Sequence, residues 1–102
     1  MGLLQVDSEL GGAVARVALA GELDLSSASA LKDPVRRLIE RHPPSHLLLD
    51  LRRLTFVDST GLHLLHRLAV DARTARWRLT VVRGPAQIQR TMALVGLSEG
   101  LD

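Results

Sequence analysis

Residues 47–65 read LLLDLRRLTFVDSTGLHLL. Two apolar runs lead into the polar tetrapeptide Asp58-Ser59-Thr60-Gly61, and a helical pattern begins directly after it. Leu47-Leu48-Leu49 is apolar at every position, as expected of a central strand buried under helices, and Asp50 closes that strand. From Leu62, the residues Leu62, Leu65, Ala69 and Ala72 recur at helical spacing and Leu64 and Leu68 widen the stripe, while His63, Arg67, Asp71 and Thr74 fall opposite. The tetrapeptide is therefore a strand-to-helix junction. A helix starting just after Ser59 leaves its first N–H groups unpaired and aims the positive end of its dipole at the cap. Ser59 can serve as that cap; equally, Asp58 caps and Gly61 relieves crowding in the turn. Phosphorylation of Ser59 would add roughly 1.5–2 negative charges and three acceptor oxygens where oriented N–H groups receive an anion.

Outward from this junction the chain alternates strand and helix. Leu3 to Asp7 and Ala13 to Ala20 form two strands joined around Gly11-Gly12, with Ala15, Val17 and Leu19 on one face and Val14, Arg16 and Ala18 on the other. Ser26-Ser27-Ala28 offers capping hydroxyls to a helix whose apolar positions are Leu31, Val35, Leu38 and Ile39, running to Arg41. Pro34 lies inside that pattern, so the helix either kinks there or starts near Asp33. His42-Pro43-Pro44-Ser45 ends it. Arg78 to Arg83 is a further strand, and Gly84-Pro85 leads into a helix with Ile88, Met92 and Val95 on its core side, capped by Gly96 with Leu97 folding back. The order strand, strand, helix, strand, helix, strand, helix fits a small mixed sheet with helices against it.

The 102 residues, 46% of them hydrophobic, suffice for one domain with a modest core. Cysteine is absent, which excludes disulfides, thiolate metal sites and cysteine nucleophiles and points to the cytoplasm. No stretch approaches the ~20 apolar residues that cross a bilayer, and Val6 stands where a myristoylation signal would carry serine or threonine. The pI of about 10.4 reflects twelve arginines against one lysine, yet net charge is only +2. With only Phe56 and Trp77 available to stack on bases, Arg36, Arg37, Arg41, Arg52 and Arg53 read as solvated surface and not as a nucleic-acid groove.

Catalytic readings of the junction fail on spacing. A hydrolase built from Asp58, Ser59, His63 and His66 lacks a G-x-S-x-G elbow, and His63 lies four residues beyond Ser59 on a helix running away from its cap. The aspartic-protease turn fails by one residue, because Ser59 and Thr60 both intervene before Gly61. His42, His46, His63 and His66 include one i, i+3 pair but no carboxylate spaced to complete a metal site.

Phe56-Val57-Asp58-Ser59-Thr60-Gly61-Leu62 after a hydrophobic strand, with Gly21-Glu22-Leu23-Asp24 upstream, resembles the STAS domains of bacterial anti-sigma factor antagonists, over nearly the whole chain. The resemblance implies an α/β fold, a single STAS-like domain spanning residues 1–102 with a small mixed β-sheet packed against helices. It implies a phosphorylation site at Ser59, with Thr60 as the fallback acceptor, on a partner-binding face formed by Asp24, Asp58, Ser59, Thr60, Gly61 and His63. It further implies a binding module that is not an enzyme and uses no cofactor or metal. Its partners would be an anti-sigma factor with serine kinase activity and a serine phosphatase, with no direct contact to nucleic acid or membrane. The unphosphorylated form would bind the anti-sigma factor and free a sigma factor; phosphorylation would end that binding. The chain departs from the family pattern at His63, where relatives often carry glycine, and at Pro34. A rival reading keeps the fold as a regulatory or nucleotide-sensing subunit of a transporter or larger signalling assembly, with the helix cap holding a nucleotide phosphate, although the chain has no Gly-rich phosphate loop.

Overall fold

The structure, a computed structural model, describes residues 3–41 and 45–94. Its elements follow the expected alternation: β1 (Leu4–Gly11), β2 (Val14–Leu23), α1 (Ala28–Arg41), β3 (His46–Val57), α2 (Ser59–Thr74), β4 (Arg78–Val82) and α3 (Ala86–Leu94). The four strands lie in the order β1-β2-β3-β4, antiparallel between β1 and β2 and parallel thereafter, so the sheet is mixed as anticipated. Gly11 pairs with Val14, and Gly12 takes the left-handed backbone that so short a turn requires, with φ 60°. The expectations for His42, Pro43 and Pro44, and for Val95, Gly96 and Leu97, fall outside the described residues.

Both crossovers, β2–α1–β3 and β3–α2–β4, step in the same direction across the sheet. Right-handed connections then put both helices on one face, and α1 and α2 pack against each other there. Side-chain burial follows: Ala15, Val17, Leu19, Leu47, Leu49 and Leu51 are at most 1% exposed, whereas Val14, Arg16, Ala18 and Leu48 on the other face are half-buried. Leu47-Leu48-Leu49 is thus central in the sheet, but the described helices cover one side of it. Leu31 and Val35 of α1, Leu62, Leu65, Leu68, Ala69 and Ala72 of α2, and Ile88 and Met92 of α3 complete one core cluster.

Helix α1 runs without interruption through Pro34 and does not begin at Asp33. The proline removes the amide that would bond the Ala30 carbonyl, at about 3 kcal/mol. Burial of Leu31 and Val35, roughly 1.5–3 kcal/mol each, offsets that loss. Helix α2 closes without glycine: Trp77 N–H bonds Ala72 O at 2.8 Å and Arg76 N–H bonds Arg73 O at 3.0 Å, while Arg76 itself holds φ 61°.

Strand β3 does not end at Asp50 but continues to Val57. Asp50 can sit inside the strand because its carboxylate, 7% exposed, is matched from two sides: Arg16 Nη2 at 3.0 Å and Arg52 Nη2 at 2.7 Å. Arg52 also donates from Nε and from its backbone N–H. A buried charge left unpaired would cost several kcal/mol, so the pairing decides whether the strand can pass this point. Beyond it, register shifts between Ala18 and Ala20 and between Gly21 and Glu22 insert extra residues into β3 relative to β2. These bulges reset the alternation, which explains why Leu51, Leu54 and Val57, at spacing three, are all buried.

The Arg52 hydrogen bonds, opposed by desolvation, hold the Asp50 carboxyl down at about 2. Its unfolded value lies near 4, so its stabilisation is complete above ~pH 5 and is lost as pH falls from ~4 to ~2. Urea titrations of the wild type should show the midpoint falling across that window. Asp50→Asn should show a shallower fall there, together with a lower midpoint at pH 7.

Candidate functional site

At the junction of β3 and α2 the structure chooses between the two adjacent residues that could cap the helix. Asp58, not Ser59, is the N-cap: its backbone is extended, its Oδ1 accepts from Gly61 N–H at 2.9 Å, and Leu62 N–H bonds its carbonyl at 2.9 Å. A carboxylate caps as well as a hydroxyl and also carries the charge the helix dipole favours. Ser59 is the first helical residue and is exposed; Thr60 follows it, half-buried.

The second carboxylate oxygen of Asp58 reaches across the sheet end, accepting from Leu25 N–H at 3.1 Å, while Asp58 N–H bonds Leu23 O at 3.2 Å. One side chain therefore joins the start of α2 to the β2–α1 loop. That loop is fixed by Asp24, whose Oδ1 accepts from Ser26 Oγ at 2.7 Å, Ser26 N–H at 3.0 Å and Ser27 N–H at 3.1 Å. These bonds, the Ser26 hydroxyl first among them, hold the Asp24 carboxyl below its usual range. Buried Ser27 completes the turn, accepting from Asp24 N–H and donating to Glu22 O. Asp24, Asp58, Ser59, Thr60 and Gly61 are thus brought to one end of the sheet, as the motifs suggested.

Gly61 is there for space: a Cβ would stand 2.5 Å from Leu23 O and 2.7 Å from Val57 Cγ2. His63 is exposed, and because α2 already begins at Ser59, the two residues sit at i and i+4 on one helical face. The sequence reading, which started the helix after Ser59, set them too far apart. With Leu62 and His66 they line a shallow depression of about 280 Å³. No hydrogen bond joins His63 to Ser59 among the described residues. Nor do the described residues contain a group of three or more His, Cys, Asp or Glu side chains placed to hold a metal. No described helix is long and apolar enough to cross a membrane.

Sequence reasoning missed Leu25 and Phe56, which are 77% and 45% exposed beside this junction. Hydropathy patterns assign such residues to the core, and only the fold reveals that they face out.

Residues 6–101 match the family described as "Mlab, STAS domain". An anti-sigma F factor antagonist from Paenibacillus polymyxa is 34% identical over 62 residues, which is 61% of this chain and 53% of that protein, so the match spans about half of that relative's length. The crystal structure of an anti-sigma factor antagonist from Mycobacterium paratuberculosis superposes with a TM-score of 0.75 at 26% identity, covering 97% of this chain and 83% of that one. SpoIIAA shares the fold in both of its forms, at 17% identity. The unphosphorylated form gives a TM-score of 0.81 over 96% of this chain and 86% of that one. The phosphorylated form of the Bacillus protein gives 0.74 over 98% and 89%.

Asp58→Ala should lower unfolding free energy by about 1–2 kcal/mol, measured by thermal or urea denaturation, because Gly61 and Leu25 N–H groups lose their acceptor. Gly61→Ala should cost about 1–3 kcal/mol by forcing α2 away from the end of β2.

Proposed function

The chain belongs to the STAS-domain family, and on that premise we propose that it is an anti-sigma factor antagonist that switches partners according to the charge on Ser59. Unphosphorylated, it binds an anti-sigma factor that is also a serine kinase, and so frees a sigma factor for transcription. That kinase phosphorylates Ser59 and ends the complex, and a serine phosphatase resets the switch. The surface engaged is the sheet end carrying Asp24, Asp58, Ser59, Thr60, Gly61 and His63.

The observation that carries this reading is the setting of Ser59: an exposed hydroxyl at the first position of α2, directly after the capping carboxylate of Asp58, which also holds the Leu25 N–H of the loop that Asp24 fixes. Asp58 takes the Gly61 N–H with its carboxylate, so the anion receptors left at the helix start are the N–H groups of Ser59 and Thr60. A phosphate on Ser59 can draw on those two groups and otherwise faces solvent as a dianion beside the Asp58 carboxylate. A partner closing over it must desolvate that charge beside Asp24 and Asp58. A penalty of even ~3 kcal/mol lowers affinity on the order of a hundredfold, enough to exchange partners.

The test is a pull-down from native lysate with wild type, Ser59→Ala and Ser59→Asp as baits, read by mass spectrometry. An ATP-binding kinase-like protein should be retained by the first two and lost from the third. Equal retention by all three, or a transporter complex on all three, would make Ser59 a structural residue and favour the regulatory-subunit reading.

A further inference from the structure

One flank of α2 carries Ser59, His63, His66, Val70 and Arg73 at i, i+4, i+7, i+11 and i+14, and no carboxylate of the helix shares it. Ser59, His63 and His66 are all exposed, and with Leu62 they line the same depression of about 280 Å³. Among the described residues, neither imidazole takes part in a hydrogen bond or an ion pair. Lys32 and Arg36 of α1, with Arg67 of α2, line a separate groove on the α1 side of the helix. The charges that other elements bring to the Ser59 end are acidic: Glu22 at the end of β2, Asp24 in the loop after it, and the Asp58 cap.

We propose that His63 is the intrachain cation for a phosphate on Ser59, so that the charge a partner meets after phosphorylation depends on pH; this rests on the phosphorylation reading above. Side chains on a helix lean toward its N-terminus, so the ring at position 63 is carried back over the turn that begins with Ser59. A residue four places on is the neighbour best placed to pair with a charge at i, and an anion N-terminal to a cation is the order the helix dipole favours. His66, a further turn away, contributes less. Asp24, Glu22 and Asp58 repel the phosphate but favour a protonated ring, which leaves the imidazolium as the side chain that answers the added charge.

The two partners titrate in the same range, an ordinary imidazole at about 6.5 and the second step of a phosphoserine at about 6. Pairing separates them: the phosphate gives up its proton at lower pH and the ring keeps its proton to higher pH. Near neutrality, a proton taken up by the ring offsets part of the roughly two negative charges that the phosphate brings. Above ~pH 8 the ring is neutral and the dianion has no such answer. Partner release on phosphorylation therefore deepens as pH rises from ~6.5 to ~8.

The experiment installs phosphoserine at position 59 during translation, so that no natural kinase is needed, and follows the phosphate by phosphorus NMR from about pH 5 to about pH 9. Wild type, His63→Gln and His66→Gln are compared. The phosphate should lose its second proton about half a unit lower in the wild type than in His63→Gln, about threefold in the equilibrium, and His66→Gln should move it by less. By the same coupling, the His63 ring should titrate higher once Ser59 is phosphorylated. A phosphate midpoint unchanged by His63→Gln would overturn the pair and leave the phosphate to the Ser59 and Thr60 N–H groups. An equal or larger effect of His66→Gln would overturn the assignment to His63. Because the phosphate is installed directly, failure of the pair leaves the partner switch standing, whereas failure of the pull-down beside an intact pair would overturn the pH-dependent release alone.

Discussion

Asp58 makes four hydrogen bonds in three directions, and the end of the molecule is organised around them. Its N–H and carbonyl tie the end of β2 to the start of α2, through Leu23 O and Leu62 N–H. Its two carboxylate oxygens diverge, one to Gly61 N–H and one to Leu25 N–H. A hydroxyl or an amide at this position would offer one acceptor atom where two are needed. The same clamp draws the first turn of α2 against β2, so closely that only hydrogen fits at the α-carbon of residue 61. The exposed serine, the glycine and the ordered loop are consequences of that single carboxylate.

Two kinds of negative charge meet at this end, and they differ in who satisfies them. The carboxylates of Asp24 and Asp58 are part of the architecture, with donors supplied by neighbouring backbone and hydroxyl groups. A charge added at Ser59 would find those donors committed, with the first two helical N–H groups beside it. Asp50, at the other functional extreme, carries its charge inside β3, and two arginines permanently balance it. The fold separates the charges that hold it together from an exposed serine at the start of α2.

Most of this was legible in the sequence where periodicity was strong. The alternation of β2, the apolar stripe of α2 and the strand-to-helix junction all follow from side-chain spacing, and the two short motifs located the candidate site. The failures have specific physical origins. Asp50 looked like a strand end because a lone acid is costly inside a sheet, and the Arg16 and Arg52 that remove the cost are visible only once strands are paired. Ser59 and Asp58 are both good caps, so preference alone could not choose between them; the choice falls to the residue whose oxygens can also reach Leu25. Arg76 ends α2 in a left-handed conformation usually marked by glycine. Leu25 was invisible because nothing in a sequence distinguishes a leucine turned outward from one turned inward.

The bulges in β3 have a bearing on how this chain tolerates change in length. Over the stretch where Val14–Leu23 is paired, β3 runs from His46 to Val57 and so carries two residues more than its neighbour. In a regular strand the loss of one residue would turn every later side chain to the wrong face. Here a deletion between Arg52 and Phe56 can be absorbed by flattening a bulge, leaving Leu47, Leu49 and Leu51 in the core and Asp58 at the strand's end. The irregular segment is thus a reserve of slack, set between a core that fixes register and a surface free to diverge.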